Sequence, residues 1–139
     1  MKVDELMTKS VVTLNVGDTV EKAATLMKEH NVGSIPVCEG NTIKGIITDR
    51  DITLKAVAVG KDSKTQTVNE IMTTNIITGN PNMSIDEATK IMSENQIRRL
   101  TIVDNNNLVG IIALGDLATE NNSDEMAGSA LSSISQGTK

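Results

Sequence analysis

Gly45-Ile46-Ile47-Thr48-Asp49-Arg50-Asp51 is an apolar run that stops at a hydroxyl, with a carboxylate three residues beyond it. The β-rich run 43–47 predicts a strand, and residues 49–59 predict a helix ending at Gly60, where a helix C-terminus wants a residue that tolerates positive φ. Thr48 is then the N-cap and Asp51 the third helical residue. A helix entrance exposes unpaired N–H groups and positive potential, so the Thr48 hydroxyl and the nearby amides suit a phosphate. The Asp51 carboxylate suits a pair of vicinal hydroxyls, and Asp49 and Arg50 lie in the same entrance. Thr-x-x-Asp is equally a variant of the capping box, which needs no ligand.

The stretch occurs twice. Gly110-Ile111-Ile112-Ala113-Leu114-Gly115-Asp116 repeats it at an offset of 110 − 45 = 65. The same offset takes Met7 to Met72, Thr8 to Thr73, Thr13 to Thr78, Ala23 to Ala88, Met27 to Met92 and Glu29 to Glu94, without a gap. Residues 3–53 and 68–118 are therefore an internal duplication.

Composition narrows the function. With 139 residues, 38% of them hydrophobic, the chain builds a real core from two similar halves. It has no aromatic residue and seven Met, so a bound base would be sandwiched by aliphatic side chains. A net charge of −5 with scattered Lys and Arg argues against nucleic acid and anionic membranes as partners. The single Cys38 lies in an apolar run, as a buried thiol in a reducing compartment would. The sequence shows no membrane-spanning run and no signal-peptide core, which predicts a soluble, cytoplasmic protein.

In chain order, a helical turn at 3–7 and an extended piece at 10–14 precede a helix from Thr19 or Asp18 to His30. Strands at 34–38 and 43–47 flank a turn at 39–42, and the helix from Asp49 closes the half. The second half follows with a helix capped by Ser84 and strands at 100–103 and 108–112. The expected organisation is repeat 1 at 3–59, a polar linker at 60–67, repeat 2 at 68–118, and a polar tail at 119–139 with a short amphipathic helix at about 124–135. The fold class is α/β of the α+β kind, each repeat running β-α-β-β-α, with the two paired across a pseudo-two-fold axis.

The repeated Met-Thr near the start, the Thr before the first helix, Val32-Gly33-Ser34-Ile35-Pro36-Val37 and Gly45-x-x-Thr48-x-x-Asp51 resemble a tandem pair of cystathionine β-synthase (CBS) domains, the Bateman module. The resemblance covers residues 3–118. It implies two inter-repeat clefts that bind adenosine-type nucleotides, with the hydroxyl on phosphate and the carboxylate on ribose. It also implies frequent dimers. Carried onto this chain, one cleft takes Thr48 and Asp51 with Thr78, Ile97, Arg98 and Arg99. The weaker one takes Asp116 with Thr13, Val32, Gly33 and Ser34. Ala113 stands where the phosphate-contacting hydroxyl belongs, and Thr101 where the first repeat has Pro36.

The expected function is a regulatory module that senses AMP, ADP or ATP, with S-adenosylmethionine or NADH as further compatible ligands. No cofactor is required, and an effector protein of unknown identity reads the signal. A homodimer is expected, because each half leaves apolar helix faces partly uncovered. One phosphorylated nucleotide per chain is expected, in the Thr48–Asp51 cleft. No activated nucleophile, metal cluster or Walker loop is present, so no catalysis is expected. The alternatives are a ligand-free dimerisation platform and, ranked last, an enzyme using Asp51 and Asp116 as paired carboxylates.

Overall fold

Each repeat supplies three strands and a packing helix because its hairpin strands carry short apolar β-rich runs and its helix carries an apolar stripe. The computed structural model describes residues 1–118 and Ile134. It divides into two compact units, Val12–Ile76, and Met1–Val11 together with the described residues from Ile77 onward. Each unit thus takes its last packing segment from the chain that leads into the other repeat.

In the first of these, strand β1 (Leu14–Asn15) runs parallel to β2 (Ser34–Glu39), which pairs antiparallel with β3 (Thr42–Thr48). Helix α2 (Val20–His30) crosses between β1 and β2. Thr19, not Asp18, is its cap, accepting from Lys22 N at 3.2 Å, and Asn31 ends it in the left-handed region at φ 53°. Val20, Ala23 and Met27 meet Leu14, Ile35, Val37 and Ile47 in the core. Cys38 is buried beside them, and burial pushes its thiol pKa up.

The other unit repeats this plan. Strand β4 (Thr78–Gly79) is parallel to β5 (Arg99–Asp104), which pairs antiparallel with β6 (Asn107–Ala113). Helix α4 (Ile85–Asn95) is capped by Ser84, and Gln96 is left-handed at φ 56°. Both hairpins carry an irregularity at the equivalent place, Val37/Cys38 and Ile102/Val103. Helix α1 (Val3–Leu6) packs here, with Val3 in a core that includes Met92, Leu100, Ile112 and Ile134. The expected tail helix lies outside the described residues, apart from Ile134.

The helix after β3 differs from expectation. Only α3 (Asp49–Ile52) is α-helical, and Thr53–Val57 is π-wound, with Ala58 N–H reaching Thr53 O at 2.9 Å. Gly60 follows at φ 72°, as the sequence indicated. Helix α5 (Leu114–Ala118) is the counterpart after β6. Among the described residues no helix is long and apolar enough to cross a membrane.

Candidate functional site

The β3–α3 junction is built by the capping box. Thr48 Oγ1 accepts from Asp51 N–H at 3.0 Å, and Asp51 Oδ2 accepts from Thr48 N–H at 3.0 Å. Two orphan donors of the first turn are thereby satisfied reciprocally. Gly33 carries the junction from below. Its carbonyl accepts from Asp49 N–H at 2.9 Å, and a Cβ there would stand 3.1 Å from Asp49 Oδ2. Strand register sets Ser34 opposite Thr48. Val32 packs partly buried against the core, while Thr13, Asp49 and Arg50 are exposed.

Two residues that the sequence reading missed complete the surroundings of Asp51. Lys55 Nζ lies 3.1 Å from Asp51 Oδ1 and donates to Ile71 O at 3.2 Å. The Thr73 hydroxyl lies 3.3 Å from Oδ2 and 3.4 Å from Oδ1. The signal for Lys55 was present, since Asp51 and Lys55 are spaced i, i+4 as an ion pair on one helix face requires. Thr73 arrives from far along the chain, held by two backbone bonds to Ile46 at 2.8 and 2.9 Å.

The equivalent junction in the other unit keeps half of the box. Ala113 N–H donates to Asp116 Oδ2 at 2.9 Å, and no hydroxyl stands at Ala113 to reciprocate. Arg98 O accepts from Leu114 N–H at 2.8 Å, the counterpart of the Gly33–Asp49 bond. Arg99 is set opposite Ala113. Burial pulls its guanidinium down from the ordinary value, and the nearby Asp116 carboxylate opposes that shift. Ile97 packs partly buried on the core, and Thr78 pairs with Thr101.

The expectation placed Arg98 and Arg99 with Thr48 and Asp51 as its phosphate partners. Within its own unit the register sets Arg99 opposite Ala113, where the Asp116 carboxylate acts on it. The reason is the hairpin geometry. The first residue of β5 faces the last residue of β6, as Ser34 faces Thr48. Among the described residues no group of three or more His, Cys, Asp or Glu is placed to hold a metal.

The family model for the CBS domain matches residues 3–57 and again 68–122. The chain belongs to the CBS-domain family. It is similar to the CBS domain-containing protein YhcV of Bacillus subtilis, 54% identical over 133 residues, covering 96% of this chain and 94% of that one. The crystal structure of Hypoxic Response Protein I with two coordinated zinc ions matches with a TM-score of 0.79 at 33% identity, covering 86% and 98% of the two chains. A hexameric CBS-CP12 protein from bloom-forming cyanobacteria matches with a TM-score of 0.71 at 32% identity, covering 90% of this chain and 74% of that one. CBS pairs are regulatory modules that often bind adenosine ligands, and proteins made only of CBS domains are generally non-catalytic.

Proposed function

We propose that this CBS pair is a regulatory module that binds an adenosine nucleotide, using Asp51 and Asp116 as ribose acceptors. One observation carries the reading. Both repeats place a carboxylate at the same strand-to-helix junction and fix it by the same bond, from Thr48 N–H at 3.0 Å and from Ala113 N–H at 2.9 Å. A carboxylate held in one orientation by a backbone donor is preorganised to accept from a diol, and preorganisation lowers the cost of binding. Thr48, Ser34 and Gly33 accompany Asp51 in its unit. Arg98, Arg99, Thr78 and Ile97 accompany Asp116 in the other, and Arg99 is the proposed phosphate partner.

A thermal-shift and calorimetry panel of AMP, ADP, ATP, NADH and S-adenosylmethionine tests this. A ligand at a hundred times its dissociation constant should add about 2.7 kcal/mol of stability. Asp51→Ala should weaken binding about tenfold, the lower end of what a hydrogen bond to a charged group contributes. An unshifted parent protein across the whole panel would favour the second reading, a ligand-free scaffold. That reading draws on the capping box, which already engages both Thr48 and Asp51.

Self-association belongs to the same proposal. Leu54, Val57 and Val59 are exposed on and just beyond the π-wound turn, an apolar surface of the kind that protein contacts cover. Light scattering at micromolar concentration is expected to give at least twice 14.8 kDa, and a monomer mass would reject it.

A further inference from the structure

Asp51 is 6% exposed and already serves three donors of its own chain. A carboxylate offers about four acceptor positions. A vicinal diol donating two hydrogen bonds therefore has to displace one of those donors. They differ in how readily they leave. Thr48 N–H is fixed by the capping box that starts α3. The Thr73 hydroxyl spans both oxygens, at 3.3 and 3.4 Å, and is kept there by the two backbone bonds of Thr73 to Ile46. The Lys55 ammonium, at 3.1 Å, is the strong competitor because it brings a full charge. Its side chain is also 50% exposed and keeps a second acceptor, Ile71 O at 3.2 Å, once it lets go of the carboxylate.

We infer that Lys55 is a built-in competitor for the diol acceptor of Asp51, a specificity-determining residue that raises the ligand concentration at which this site fills. The inference rests on the adenosine-binding reading above. The repeat sharpens it, because the residue 65 positions after Lys55 is Glu120, an acid that cannot play this part for Asp116. The two sites are thus expected to differ in threshold as well as in phosphate partners. Lys55 acts through Asp51, so its three conceivable roles give three signs. A ligand contact lowers affinity when removed, a purely structural ion pair leaves it unchanged, and a competitor raises it.

Lys55→Met and Lys55→Arg, each checked by a urea melt, are titrated with adenosine and with 2′-deoxyadenosine, which carry no phosphate to confuse the reading. Lys55→Met should bind adenosine about threefold to fivefold more tightly, the scale of a lost half-exposed ion pair. Lys55→Arg should stay near the parent. The gain should vanish for 2′-deoxyadenosine, which keeps one hydroxyl of the vicinal pair, and that hydroxyl fits the vacant acceptor position without displacing Lys55. An unchanged or weaker adenosine affinity in Lys55→Met, or an equal gain for both ligands, overturns the inference. If the parent and both variants bind no adenosine compound at all, the adenosine reading fails and takes this one with it. Lys55→Gln is read in the same way should the Met variant melt early.

Discussion

Gly45→Ala should destabilise the Val12–Ile76 unit by about 1–3 kcal/mol, the usual cost of forcing a methyl group into a filled site. A Cβ at Gly45 would stand 2.7 Å from Thr73 O and 2.8 Å from Met72 Sδ. Thr73 O is the acceptor of Ile46 N–H at 2.9 Å, so moving it breaks a backbone pair that pins the incoming segment to β3. The gain from a stiffer unfolded chain, about 0.4–1 kcal/mol, is too small to offset this. Gly110→Ala meets Met7 Sδ at 2.6 Å and Thr8 O at 3.0 Å. There the closest atom is the end of a flexible side chain, so the loss should be smaller. Gly17→Ala, with nothing within 4 Å, is the neutral control. Urea melts of the three variants decide the matter, and a Gly45→Ala midpoint equal to that of Gly17→Ala would refute it.

Those contacts mark where the sequence stopped being legible. The duplication, the hairpins and the Thr48–Asp51 junction were all readable, because each is written as a pattern in the sequence: a repeat at a fixed offset of 65, apolar β-rich runs bounded by turn residues, a cap three residues ahead of its acid. The role of Met72-Thr73 was not, since nothing local says that this pair docks on Gly45. The π-wound turn was equally hidden. α and π windings draw on the same residue types, and Thr53–Val57 carries no breaker that would mark the change. Arg99 is the instructive case. Ser34 to Thr48 and Arg99 to Ala113 span the same number of residues, so the hairpin register was present in the sequence.

Arg99→Ala should therefore cost phosphorylated ligands far more than unphosphorylated ones. The guanidinium is half-buried, with the Asp116 carboxylate acting on it. A phosphate offers such a group two parallel charge-assisted bonds, each worth about 1.5–3 kcal/mol, which corresponds to roughly tenfold to a hundredfold in affinity. Adenosine lacks that partner and should lose less than about threefold, half of the smallest energy expected for one such bond. Arg99→Lys should recover little, because an ammonium cannot copy the planar fork. The electrostatic effect of Asp116 on Arg99 predicts coupling as well. Arg99→Ala and Asp116→Ala should be non-additive for AMP, whereas Arg99→Ala and Asp51→Ala should add to within about 0.5 kcal/mol. Ala113→Thr restores the missing hydroxyl at the same junction and should tighten AMP. Equal losses of AMP and adenosine in Arg99→Ala would remove the phosphate role. Coupling of Arg99 to Asp51 in place of Asp116 would return the arginine to the Thr48 group, where the sequence pattern had first put it.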